Sequence, residues 1–456
     1  MTPTILSATS RPPFPGRRRR LSGTRLLLAA GVVAAGAGPA LAAEAAPRPV
    51  LYVATTGVDS NPGTEAAPKR TVQAAVNAAT PGTTIRVAAG TYSGKIRLNK
   101  SGTVAAPYRI TAASAGTVTL TAAVEPRPCT GGSPANERNV TIGQGADYWQ
   151  LDGLTIENGV WIAGRDNNTI FRWYDNLADS GQWEVRRQVT SHGAYGPVKT
   201  PVVTAYLRDA AGSEIADPAV GIKLLDNTIT GRGVHATFAS DSTVRGNVIR
   251  DIDCGTGPGI WLINFSRGWL VSDNEVSNVA ESETSHHMQE GIRIGGASDY
   301  NTITGNRVYD LPGDGRAYST DTDSSWNWFH HNTAANVAQG YNEQMGGWGN
   351  VWEYNSVTGH RNYGFGFRLA DAGLTAPSYN SSSTKSVVRC NSATNPAGTG
   401  RALGVGAIQE STFVGNNFPT AWFSPNSASY WTSAGNTWDG SSAFPTNTPP
   451  YDPSSC

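Results

Sequence analysis

Between Leu224 and Phe418 an asparagine returns eight times in the same apolar setting, and this repeat limits the possible folds more than any other feature of the chain. The anchors are Asn227, Asn247, Asn274, Asn306, Asn332, Asn355, Asn391 and Asn416, separated by 20, 27, 32, 26, 23, 36 and 25 residues. Three residues before each stands an apolar side chain, from Leu224 in the first copy to Phe413 in the last. Two residues after each stands another, from Ile229 to Phe418. A period of roughly two dozen residues with insertions is the mark of a solenoid. Alternating apolar residues on both sides of an asparagine predict a strand, a tight bend and a second strand in every coil. Stacked coils place the asparagines one above another at about the 4.8 Å strand spacing, so their amides can hydrogen-bond along the axis. The fold class expected is all-β, a parallel β-helix. A leucine-rich repeat has a similar period but needs a leucine pattern and a helical return segment, which these copies lack.

Composition agrees with stacked strands and turns: 52 glycines, and only 15% charged residues. The formal net charge is zero, which argues against general nucleic-acid binding and leaves any acidic ligand to local arginines. Residues 1–42 read as a signal peptide, with Arg17 to Arg20 and Arg25 as a positive segment, Leu26 to Ala37 as an apolar one, and Ala40-Leu41-Ala42 as a cleavage site. The expectation is a secreted, extracellular protein. No second apolar run is long enough to span a bilayer, so no membrane span is expected. Four widely spaced cysteines, Cys129, Cys254, Cys390 and Cys456, suggest one or two disulfides in an exported chain, with three full pairings open. Cys456 would tie down a C-terminal tail, residues 441–456.

Residues 43–92 predict an N-terminal strand and capping helix. The passage reads LYVATTGVDSNPGT, TVQAAVNAAT, PGTTIRVAAGTY. Val72, Ala75, Val76 and Ala79 give a short helix one apolar face, and Pro81-Gly82 ends it. Such a helix covers the open end of a solenoid, an edge that would otherwise recruit other chains. This passage resembles the N-terminal segment of secreted right-handed parallel β-helix proteins of the pectate lyase superfamily, especially the family 9 polysaccharide lyases. The resemblance implies a right-handed β-helix over residues 93–440 and a carbohydrate-active enzyme. Family 9 lyases use a lysine base beside a calcium site of clustered aspartates; this chain has no lysine between Lys223 and Lys385. The repeat rhythm breaks at about residues 171–220, where FRWYDNLADSGQWEVRRQV and VVTAYLRDA read as an inserted lobe.

The chemistry is expected on the outward face of one sheet, beside loops that project from the coils. Thirteen residues before successive anchors stand Trp261, Arg293, Ser319 and Asn342, an outward column with Ile263, Gly295, Asp321 and Gln344 beside it. Insertions at Glu281 to Glu290, Pro312 to Asp323 and Gly340 to Asn350, expected immediately before these strands, carry many ionisable residues. The catalytic candidates are His287, Glu290, Arg293, Arg316, Asp321, Asp323 and Glu343. Strict counting turns Glu343 inward, and a one-residue slip would bring it to the groove. Trp261, Asn342 and Trp348 are candidates for substrate binding. Asp314, Asp321 and Asp323 are candidates for a calcium site, although paired aspartates on a coil are also common turn caps. Two enzyme chemistries fit these residue types. In β-elimination, arginines or a cation neutralise a uronate carboxylate and a basic side chain takes the C5 proton; in hydrolysis, two carboxyl groups act as acid and base. A third reading, a carbohydrate-binding solenoid without catalysis, leaves the concentration of ionisable residues in three neighbouring loops unexplained. The partner expected throughout is a polysaccharide substrate, most readily a uronate-containing one cleaved by a lyase.

Overall fold

The structure, a computed structural model, describes residues 48–125, 137–143, 145–166, 216–280, 289–296, 298–321, 324–344, 349–369, 385–396, 398–406, 408, 410–424 and 437–438. Three long sheets run the length of the chain, of thirteen, ten and eleven strands, and every neighbouring pair within them is parallel. One coil shows the order: Lys223–Leu225 lies in the first sheet, Thr228–Gly231 in the second and Val234–Thr237 in the third. Thr243–Arg245 then re-enters the first sheet beside Lys223–Leu225. This is the parallel β-helix that the repeat predicts.

The asparagine anchors occupy the corner between the first and second sheets. All eight are buried. Asn306 is typical: its amide nitrogen donates to Val271 O at 2.9 Å and to Asn332 Oδ1 at 3.0 Å, while its own Oδ1 accepts the backbone N–H of Asn274 at 3.0 Å. The residue before each anchor takes a left-handed conformation, with φ of 53° at Asp226, 56° at Asp273, 55° at His331 and 57° at Cys390. A side chain in that region is disfavoured by roughly 1–2 kcal/mol, and the ladder of amide bonds holds it there. Gly246 has φ of 68°, and a Cβ there would lie 2.1 Å from Asp226 Oδ1. A second, shorter ladder of Asn301, Asn327 and Asn350 closes the corner that enters the first sheet; its copies are too few to register as a repeat.

The core is the interior of the coil. Val244, Val271, Ile303, Phe329 and Trp352 form one inward row by strand pairing. Tyr318, Tyr341 and Phe365 stack in another, with ring centroids 4.9 and 4.5 Å apart. Buried tyrosines need a partner for the hydroxyl, and Tyr341 Oη donates to Asn332 O at 2.7 Å.

The capping helix spans Val72–Ala78 and buries Val72, Ala75 and Val76 against the first strands. Thr71 Oγ1 accepts the N–H of Ala74 at its start. Lys100 Nζ donates to Asn77 O and Ala79 O at its end, at 2.7 and 2.9 Å, where a cation also meets the negative end of the helix dipole. Where the repeat rhythm breaks, Arg165–Asp166 pairs antiparallel with Ala216–Asp217, and Ala219–Val220 has rejoined the solenoid. The inserted segment between them, including Trp173 and Trp183, lies outside the described residues. Cys254 and Cys390 are disulfide-bonded, and no free cysteine occurs among the described residues. No helix among them is long and apolar enough to cross a membrane.

Candidate functional site

Strand pairing in the third sheet brings Trp261 beside Arg293, Arg293 beside Ser319, and Ser319 beside Asn342. The neighbouring column also forms. Gly295, Asp321 and Gln344 each continue the ladder one residue past a strand, their N–H groups donating to Leu262 O, Ile294 O and Thr320 O at 2.8, 2.8 and 2.9 Å. Alternation along the strand turns Arg293 and Asp321 to the same side.

On that side four candidates meet in one ion network. Arg293 Nη1 contacts Glu290 Oε2 at 2.9 Å, Arg293 Nη2 pairs with Asp321 Oδ2, and Arg316 Nη1 lies 3.4 Å from Glu290 Oε1. The side chains of Arg293, Glu290 and Asp321 are 13, 0 and 8% exposed. Burial acts against the Arg293 charge, but Glu290 and Asp321 more than offset it and hold the guanidinium above its usual value. Arg293 also sits over Trp261, 5.6 Å from the ring centroid. Asn342 is outward and nearly buried, donating to Gln339 Oε1 at 2.6 Å.

Two expected members are placed elsewhere. Glu343 points into the coil, where Trp352 Nε1 and Ser386 Oγ donate to its carboxylate at 2.9 and 2.7 Å. Strict counting holds, no slip occurs, and burial pushes its carboxyl above the usual range. Its environment is structural, which corrects the catalytic candidacy. Asp314 lies on the exposed turn before Arg316–Thr320, whereas Asp321 follows that strand. Four strand steps separate the two ends by about 13 Å, and ligands of one calcium ion lie about 2.5 Å from it, so these two cannot share a cation. Asp321 is in addition engaged by a guanidinium. No group of three metal-ligating side chains occurs among the described residues, and the described donor set does not fit a calcium centre. His286, His287, Asp323 and Trp348 lie outside the described residues.

The column extends where counting did not reach. Trp161 pairs with His235, and His235 with Trp261, so a histidine stands one coil from Trp261 on the same outward row. Its ring stacks on Trp261 at 4.6 Å. Burial, and then the nearby Arg138 charge, push the imidazole down to about 3, so it is neutral at ordinary pH. Thirteen residues before Asn247 stands Val234, not His235, because this coil is one residue shorter after its third strand. From Thr237 to Thr243 is six residues, and between their partners Ile263 and Leu270 it is seven. Matching strands directly instead of counting from the anchor would have found it.

A model of the family described as "Pel9A-like, right handed beta helix region" matches residues 51–197, the part that contains the cap passage. The fold is a right-handed parallel β-helix, and its N-terminal part is similar to that family. Over 150 residues it is 31% identical to pectate lyase PEL9 of Emericella nidulans. That match takes in 30% of this chain and spans about a third of the length of the relative, 35%. Among solved structures, a rhamnogalacturonan lyase superposes with a TM-score of 0.54 at 12% identity, over 89% of this chain and 97% of that one. Pectate lyase Pel9A gives 0.45 at 14% identity, over 88% and 82%. At 12% identity the superposition on the rhamnogalacturonan lyase shows the fold alone.

Proposed function

We propose that the protein is a secreted polysaccharide-degrading enzyme, a lyase that cleaves a uronate-containing glycan by β-elimination on the outward face of the third sheet. The observation that carries this reading is the ion network in which Arg293 stands between Glu290 and Asp321, with Arg316 on the far side of Glu290. Similarity of the N-terminal third to a pectate lyase supports it.

Glu290 is fully buried while Arg293 and Asp321 retain some exposure, so the Arg293–Asp321 pair is the exchangeable half. A uronate carboxylate arriving at Arg293 replaces Asp321 there and forms a charge-assisted, bidentate contact. That contact stabilises the negative charge that develops next to C5. The released Asp321 carboxylate takes the C5 proton, the C–H electron pair forms the C4–C5 double bond, and the C4–O bond breaks. The leaving oxygen then recovers a proton from Asp321 or water. No step runs through a metal.

Hydrolysis is the second reading, favoured by one observation: two carboxylates, Glu290 and Asp321, meet at the same guanidinium. Incubation with a panel of uronate-containing glycans separates the two. Ultraviolet absorbance of an unsaturated uronate together with new reducing ends is the expected result. Reducing ends without absorbance would establish hydrolysis, and neither would leave a binding protein.

A further inference from the structure

The outward row on the N-terminal side of Arg293 has a peculiarity that the ion network does not account for. Trp161, His235 and Trp261 stand on successive coils, with ring centroids 6.5 and 4.6 Å apart. Their faces are taken up by one another and, at Trp261, by Arg293; their edges remain. Trp161 Nε1, His235 Nδ1 and Trp261 Nε1 are all buried and have no hydrogen-bond partner among the described residues, and the same holds for Ser319 Oγ on the other side of Arg293. His235 and Trp261 are each 6% exposed and Ser319 is fully buried.

A buried polar atom without a partner carries a desolvation penalty, and native proteins hold few of them. Four of those found among the described residues line up here on one row of one sheet, next to the charged centre. Polar atoms arranged this way are satisfied by something that lies along the axis. None of them is charged. Arg293 lies over Trp261 at the end of the row, and Arg138, whose charge acts on His235, is itself buried and donates to the carbonyls of Glu137, Gly233 and Thr256 at 3.1, 3.3 and 2.7 Å. A carboxylate placed beside Trp161 or His235 would lose its hydration with no cation among the described residues presented to replace it. Sugar hydroxyls, which both donate and accept, meet indole N–H groups and a neutral imidazole without that loss.

Building on the reading of this face as a glycan site, we infer that Trp161, His235 and Trp261 form a strip that binds uncharged sugar units through their hydroxyls. One unit lies per coil, on the N-terminal side of the unit held at Arg293. The substrate class is then a heteroglycan in which a uronate is flanked on one side by neutral sugars, in preference to an unbroken polyuronate.

The test uses the full chain with ¹⁵N-labelled tryptophan, its indole signals assigned through Trp161→Phe and Trp261→Phe. Two probes are titrated: a galacturonate oligomer and the same oligomer with its carboxyls reduced to primary alcohols. The reduced oligomer should move both the Trp161 and Trp261 indole N–H signals. The galacturonate oligomer should leave Trp161, three coils from Arg293, largely unmoved. Equal movement of Trp161 by both probes, or by neither, overturns the inference. His235→Phe keeps a ring in the stack and removes the unpaired nitrogen. It should weaken binding of the reduced oligomer about tenfold, the worth of roughly one hydrogen bond, with Tm unchanged or raised. A lower Tm with unchanged binding would mark His235 as structural and would also overturn the inference. If the indole signals respond but no glycan is cleaved, the lyase reading fails and the strip stands; cleavage with Trp161 silent removes the strip alone.

Discussion

The corner between the first and second sheets and the outward face of the third are built on the same coils, yet they treat polar groups in opposite ways. At the corner every coil supplies the same residue, and each asparagine amide is closed by the next from Asn227 to Asn416. On the face the residue changes from each coil to the next: Trp161, His235, Trp261, Arg293, Ser319, Asn342. Some of these polar atoms close on one another as ions and some close on nothing among the described residues. A stacked fold can repeat whatever only has to hold it together. A binding site has to vary from coil to coil, because the sugar units and the reacting bond are not equivalent.

Substitutions at the two places should therefore separate stability from activity. The largest expected effect is on the face. Asp321→Asn removes the charge but keeps the shape, and should lower turnover about a hundredfold or more while Tm stays nearly constant. Arg293→Ala is a poorer probe, because it leaves the fully buried Glu290 carboxylate with only Arg316 at 3.4 Å, and stranding a buried charge costs about 3–5 kcal/mol. At the corner the pattern should reverse. Asn306→Ala strands Val271 O and the Asn274 N–H, at about 1–3 kcal/mol for each group, read as a lower Tm with turnover per folded molecule intact. If instead Asn306→Ala abolished turnover at full stability, the division between the two regions would be wrong.

The smallest effect belongs to Glu343, which lies in the sheet that carries the site but points into the core. Its folded carboxyl titrates above the ordinary value of 4.5 because of burial. A group raised on folding contributes stability that is fully present below its unfolded pKa and is lost as pH rises through the folded one. Wild-type stability should thus decline as pH rises above about 4.5, and Glu343→Gln should flatten that decline in a series of thermal melts. Turnover should be unchanged; a large loss would put Glu343 back among the catalytic groups.

The same contrast explains what could be read from the chain alone. The coil was legible because Asn227 and its copies recur with apolar neighbours at fixed offsets, and the cap because Val72, Ala75, Val76 and Ala79 keep helical spacing. The columns through Arg293 and Asp321 follow from counting back to those anchors. His235 escaped because one shortened turn shifts the count by a residue. Asp314 was grouped with Asp321 by closeness in sequence, which a strand between them turns into distance. The orphaned indole and imidazole nitrogens have no sequence signature at all, since they are defined by the absence of a partner in three dimensions.

The central claim is that Arg293, freed from Asp321, holds the carboxylate of a uronate on the outward face of the third sheet. A crystal structure of the Asp321→Asn protein with a bound uronate-containing oligosaccharide tests it most directly. The account predicts the uronate carboxylate on Arg293, with the scissile C4–O bond beside residue 321 and the chain running along the Trp261 row. An oligosaccharide bound to the first or second sheet, or to this face with its carboxylate away from Arg293, would contradict it.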